Sequence, residues 1–228
     1  MLRSKRPLHP LLPSLLAATA AVTAIGATGC GTRGSGTPAT EVREVEAFER
    51  IDVSGAVELI VHVAPDGPQK LEITADDNLV PLLETRVQGH ELEVGFGPNM
   101  MIRPKVGVRV EAWVPSLTAI DASGATDVEV EGLHGAEFSL DVSGASDTIL
   151  RGSVDRLDVD ISGAGELEAK ELVTKIVRLE LSGAGEATVW ASESLDVDIS
   201  GAGEVTYFGE PANIIQDISG SGELKSGG

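Results

Sequence analysis

Near-copies of one eight-residue phrase recur six times between residues 119 and 228, and this repeat restricts the possible folds more than any other feature of the chain. The copies run Ile120–Asp127, Leu140–Asp147, Val159–Glu166, Leu179–Glu186, Val197–Glu204 and Gln216–Glu223. Each reads apolar, acid, apolar, Ser, Gly, small, small, acid, except that Gln216 opens the last one. The serines Ser123, Ser143, Ser162, Ser182, Ser200 and Ser219 lie 18 to 20 residues apart, the length of one solenoid coil. So short a unit cannot enclose a core alone, and each coil must bury its apolar side chains against the next.

Parity within the phrase divides inside from outside. Counting from serine, positions −3 and −1 are apolar, as in Leu140 and Val142, and position +5 is mostly so, as in Val128 and Leu167. These point inward. Position −2 is always acidic (Asp121, Asp141, Asp160, Glu180, Asp198, Asp217), and so is +4 (Asp127, Asp147, Glu166, Glu186, Glu204, Glu223). Those point outward, because an unpaired carboxylate is too costly to bury. The glycines after the serines (Gly124, Gly144, Gly163, Gly183, Gly201, Gly220) permit positive φ at a closely stacked corner. Ser54-Gly55 begins a seventh copy, 69 residues before the next.

Upstream, residues 44–118 alternate less regularly, as in Leu59, Val61 and Val63 or Val106, Val108 and Val110, which indicates strands with one buried face. Residues Asp76–Leu83 break the alternation and predict one short helix of about two turns, capped by Asp76 or Asp77. Gly95–Lys105 is a Pro- and Gly-containing loop, expected to be a mobile tip. Its Met100, Met101 and Ile102 either fold back onto the body or form a contact patch.

The ends set the compartment. Residues 1–29 carry Arg3, Lys5 and Arg6, then an apolar stretch, then small residues before Cys30, the order of a secretory signal. Cys30 is the only cysteine, so no internal disulfide is possible, and its setting resembles a bacterial lipobox, which implies a lipidated N-terminus after cleavage. The lipid would anchor the protein in a membrane, the outer one if the cell has two. Residues 30–43 then read as anchor cysteine and flexible Gly/Ser/Pro linker, 44–118 as an N-terminal β unit, and 119–228 as the repeat solenoid. Without the leader the chain keeps 14 Lys and Arg against 36 Asp and Glu, a formal charge of −22 that argues against nucleic acid.

Phe48 with Ile51-Asp-Val-Ser-Gly-Ala56, then Leu71-Glu-Ile-Thr-Ala-Asp-Asp-Asn-Leu79, then Val114-Pro-Ser-Leu117 leading into the Ser-Gly-Ala-Gly-Glu phrases, resembles the head GIN domain family of "putative auto-transporter adhesins". The resemblance spans roughly residues 42–224. It implies an all-β fold, a right-handed parallel β-helix or solenoid of about 19–20 residues per coil, in exported or lipid-anchored bacterial proteins. It brings no catalytic residues with it, and no membrane-barrel run follows the repeats.

The two acidic columns raise the question of calcium, which takes six to eight oxygens, but the nine-residue periodicity of calcium-binding β-rolls is missing. Solvated, aggregation-discouraging charge is the plainer reading, with calcium binding at the columns as the alternative. A polysaccharide-active enzyme, a further alternative, would need a broken rung where two carboxylates sit in unlike environments. The serine column lacks a nucleophile elbow or paired histidine. His62, His90 and His134 share no spacing, so neither a metal nor a catalytic site is assigned. Trp190 and Phe208 are expected to fill or cap the coil, and Tyr207–Pro211 to bulge as a contact loop. The expected role is a non-catalytic structural or adhesive surface at the cell envelope, with an unknown protein or polysaccharide partner. The last coil is weakly capped, so the oligomeric state stays open, end-to-end pairing included.

Overall fold

A computed structural model describes residues 31–228; the expectations on the leader and Cys30 lie outside these residues. Parallel pairing in strict register aligns Ser54, Ser123, Ser143, Ser162, Ser182, Ser200 and Ser219 in one row. The repeats wind as a β-solenoid of about 5 turns, as the 18-to-20-residue spacing requires. Each coil has a leading arm that ends in the serine and a trailing arm that starts at the +4 acid. The trailing arms stack equally regularly, from Glu58 through Asp127 and from Asp147 through Glu166, Glu186 and Glu204 to Glu223.

The corner between arms explains the phrase. Gly124 has φ +103°, and a Cβ there would sit 2.6 Å from Gly55 O. The small residue after each glycine donates its N–H to the glycine carbonyl one coil below, as Ala125 does to Gly55 O at 2.9 Å and Ala145 to Gly124 O at 2.9 Å. Stacked corners thus satisfy their own backbone groups, and only a residue without a side chain fits under the next carbonyl.

Inward positions −3, −1 and +5 fill the core as parity predicts: Ile120, Leu140, Val159, Leu179 and Val197 are all buried, as are Val128, Leu167 and Val205. A further inward row, including Phe138, Leu157, Val177 and Leu195, closes the coil on its remaining side. Burial of one such aliphatic side chain contributes about 1.5–3 kcal/mol.

The N-terminal unit is continuous with the solenoid. Arg50–Gly55 pairs in register with Ala119–Gly124, and Glu58–Val63 with the start of Asp127–Gly144, so the copy at Ser54 is a full coil. One more rung lies beyond it, with Glu91–Phe96 on the leading arm and Arg109–Val114 on the trailing arm. Antiparallel strands then close this end: Leu83–Gln88 on the leading side, Lys70–Asp76 and then Pro38–Arg43 on the trailing side. They occupy the backbone groups that another coil would otherwise take.

Three expectations are corrected here. The flexible linker of 30–43 is docked where it is described: Thr32–Arg33 pairs with Ile102–Arg103, and Pro38–Arg43 lies along Lys70–Asp76. The short helix is a single 3-10 turn at Val80–Leu82 with no side-chain cap. Pro81 lacks an N–H to extend it, and strand pairing begins at Leu83. Asp76 caps nothing, because its carboxylate accepts N–H groups from Gly36 at 2.6 Å, Lys105 at 2.9 Å and Val106 at 3.2 Å. It thereby fixes both the docked segment and the 95–105 loop. Within that loop Ile102 packs against the core while Met100 and Met101 stay exposed.

Candidate binding face

Outward rows differ in how uniform they are. On the leading face the −2 row runs Glu93, Asp52, Asp121, Asp141, Asp160, Glu180, Asp198, Asp217, an acid on every rung. None of the twelve predicted carboxylates in the two columns is buried. Guanidinium groups interleave with them: Arg178 bonds Glu180 at 2.7 Å, and Arg50 lies 3.1 Å from Glu91 and 3.7 Å from Asp121. Nowhere among the described residues do three acidic, His or Cys side chains converge as a metal site would require.

Two aspartates in this row have pKa values above the ordinary carboxylate range. Partial burial, then Asp160 and Asp121, pushes Asp141 up; partial burial, then Asp121, Glu91 and Glu93, does the same to Asp52. Asp158, doubly bonded by Arg156 at 2.7 Å, is held below it. Asp141 and Asp158 share a shallow groove of about 250 Å³, so carboxylates with opposed shifts do meet once. The upward shift nevertheless recurs at Asp52, lower in the same row, so it reflects partial burial with stacked like charges, a property of the row rather than of a specialised rung.

The trailing face carries an acid row of its own beside rows that vary. Its +4 acids are ended by bases, Arg109 bonding Glu58 at 2.8 and 2.9 Å and Lys225 bonding Glu204 at 2.7 Å. The next outward row changes character from rung to rung, through Glu111, Ile60, Glu129, Ile149, Glu168, Thr188, Thr206 and Lys225. The row after it begins with Trp113, His62 and Glu131, passes Arg151 and Lys170, and ends with the paired Trp190 and Phe208. Trp190 and Phe208 are therefore surface groups, both half-buried, and the expectation that they fill the coil is corrected. Position +8 has the same parity as the +4 acids, which was the sequence signal for it. Tyr207 is the one that turns in, packing against the core.

At the middle of this face Arg151 is tied by Glu129 and by Glu171 at 3.1 Å, which hold its pKa above the ordinary arginine value. Beside it a groove of about 340 Å³ has Ile149, Glu168, Thr188 and Thr206 along it and Phe208 at its end. Lys170 Nζ lies 5.4 Å from the Phe208 ring centroid. At the N-terminal end of the same row His62 stacks on Trp113 with centroids 5.2 Å apart and meets Glu111 at 2.9 Å and Glu131 at 3.4 Å. His90 lies in the turn before Glu91–Phe96 and His134 bonds Gly132 O, so the three histidines stay apart. The predicted serines line up as a ladder of exposed or half-exposed hydroxyls, and no histidine among the described residues is bonded to them.

The family model described as "Putative auto-transporter adhesin, head GIN domain" matches residues 47–211. No curated protein matches the chain. Among solved structures, a "putative adhesin" of Bacteroides fragilis is 24% identical with a TM-score of 0.71, covering 86% of this chain and 100% of its own. A "putative adhesin" of Parabacteroides merdae is 20% identical with a TM-score of 0.57, covering 86% and 98%. A "putative lipid binding protein" of Parabacteroides distasonis is 21% identical with a TM-score of 0.53, covering 86% and 99%. These likenesses establish the shared fold. Among the described residues no helix is long and apolar enough to cross a membrane.

Proposed function

The chain belongs to the head GIN domain family, and we propose that it is a non-catalytic, exported lipoprotein whose solenoid serves as an adhesive surface at the cell envelope. The observation that carries this reading is the trailing-face groove of about 340 Å³, where side chains that change from rung to rung are held on an unvarying backbone ladder. A rigid scaffold with a variegated groove is suited to binding, because its side chains are held in place before contact and little ordering entropy is lost. Cys30 supplies the anchor in this reading, and the family description favours an exported or surface location.

Two experiments test it. The sole thiol, Cys30, allows coupling of the chain to maleimide beads in the orientation a lipid would impose. Such beads should adhere to isolated cell envelopes, and Thr188→Arg with Thr206→Glu should reduce adhesion while Val173→Ser, on another side of the coil, should not. Equal adhesion by all three would remove the trailing face from the reading, and turnover of any polysaccharide by the wild-type chain would end its non-catalytic part. In cells, Cys30→Ser should shift the protein from the membrane to the soluble fraction; retention in the membrane would refute the anchor.

A further inference from the structure

We infer that the trailing-face groove binds an extended neutral glycan lying parallel to the solenoid axis. This rests on the reading of that face as the contact surface and adds the class of ligand. Charge is the first argument. The chain as a whole is strongly acidic, yet the groove is bordered by Arg151 and Lys170 against Glu168 and Glu171, two charges of each sign. A polyanion would meet the +4 acids alongside, and a polycation would meet the two bases. A hydroxyl-rich uncharged ligand is opposed by neither.

Spacing is the second argument. Thr188 and Thr206 are paired residues on successive coils, so their hydroxyls repeat at the strand spacing of about 4.8 Å. That is close to the length of one pyranose unit in an extended glycan, so consecutive rings stay in step with consecutive coils, a β-1,4-linked chain offering the same edge at every second coil. An extended peptide advances only about 3.3 Å per residue and falls out of step. Chemistry is the third. Glu168 accepts from sugar hydroxyls, the threonines donate and accept, and the Phe208 ring offers an apolar surface to a sugar C–H face at the end of the groove. The volume of about 340 Å³ lies within the range of small-ligand sites and accommodates two or three sugar rings in an open trough.

Calorimetric titration of the full chain carrying Cys30→Ser with cellohexaose, maltohexaose and chitohexaose tests the inference, with hexagalacturonate as the anionic contrast. At least one neutral hexasaccharide should bind with a millimolar or tighter Kd, and more tightly than its disaccharide. Phe208→Ala should weaken it about tenfold, as should Thr188→Val with Thr206→Val, both being surface changes that leave the melting midpoint nearly unchanged. Failure of all three neutral sugars at ten millimolar, tighter binding of hexagalacturonate, or indifference to both variants would overturn the glycan assignment. If envelope adhesion persists while these sugars fail, the adhesive reading stands and only the ligand class is lost. Periodate treatment of the envelopes, which cleaves vicinal diols, should abolish adhesion where cellohexaose or maltohexaose is the sugar bound and spare it where only chitohexaose is, because internal 1,4-linked N-acetylglucosamine has no vicinal diol; loss on protease treatment alone would point to a protein ligand and against the inference.

Discussion

Among the described residues the Thr148 hydroxyl has no hydrogen-bond partner, in an inward row where its neighbours are Val128 and Leu167. An orphaned buried hydroxyl costs about 1–3 kcal/mol, and valine has nearly the same shape without it. Thr148→Val should therefore stabilise the fold by about 1 kcal/mol, or about 2–4 °C in melting midpoint for a chain of this size. A neutral or destabilising result in chemical denaturation would show that the hydroxyl finds a partner in solution. Asp76 is the opposite case, a fully buried carboxylate with three backbone donors. Burial alone would push its pKa up, but the N–H groups of Lys105, Gly36 and Val106 and the Lys105 charge outweigh this and hold it below 3.8. Its contribution to stability is thus complete above pH 3.8 and is lost as the pH falls through the lower folded value. Asp76→Asn turns an amide N–H toward a backbone donor, and it should expose residues 31–43 to limited proteolysis at neutral pH. Unchanged protection of that segment would mean that the carboxylate is not what docks it.

The coil corner shows which letters of the repeat matter. Serine is the most conspicuous residue of the phrase, yet Ser143 is exposed and makes no side-chain hydrogen bond among the described residues, whereas Gly124 sits under a carbonyl at positive φ. Gly124→Ala should cost about 1–3 kcal/mol, because the backbone must move off Gly55 O or leave its φ. Ser143→Ala should stay within about 0.5 kcal/mol. Paired urea titrations decide this, and a serine effect equal to the glycine effect would mean that the hydroxyl ladder has a structural role. The repeated elements were legible because register within a solenoid follows directly from period and parity: the inward rows and outward acids are where Leu140, Val142 and Asp141 place them. Other elements depended on distant partners and were not legible. Leu92-Glu-Val-Gly95 has the order of the phrase with glycine in the serine position, but nothing local says that it stacks on Ile51–Val53, 41 residues earlier. The docking of Pro38–Arg43 depends on a strand and a carboxylate equally far away. The 3-10 turn at Val80 reads as a longer helix from the sequence, because a run that breaks strand alternation looks helical when its long-range pairing is unknown. On the candidate face, the outward parity of Trp190 and Phe208 was countable, while the groove beside them arises only from stacking of four coils.

For the molecule as a whole, the dominant tension is between a backbone ladder that stacks carboxylates and the repulsion those carboxylates exert. Unit charges at a rung spacing of about 4.8 Å repel by about 0.9 kcal/mol in water, and more where partial burial lowers the effective dielectric. Protonation relieves this. Partial burial first, and then the neighbouring carboxylates, hold the folded pKa values of Asp52 and Asp141 above 3.8, so the folded state takes up protons before the unfolded chain does. Their ionisation therefore opposes folding at neutral pH, and stability rises as the pH is lowered through their folded values toward 3.8. Below 3.8 the sign reverses, because Asp76 and Asp158 have depressed folded values and their contribution is lost as they protonate. The melting midpoint should thus pass through a maximum at mildly acidic pH. Asp52→Asn with Asp141→Asn should raise the midpoint at pH 7 and flatten the rise on acidification. Calcium offers a second route to relief, but the acids stand one per rung with arginines between them and no three converge among the described residues. Millimolar calcium should accordingly raise the midpoint no more than sodium chloride of equal ionic strength, by screening alone. Scanning calorimetry from pH 7 down to 3 with both salts tests the two statements together. A midpoint that falls steadily from neutral pH would refute the repulsion argument, and a calcium increment abolished by chelator would show that the columns hold the ion.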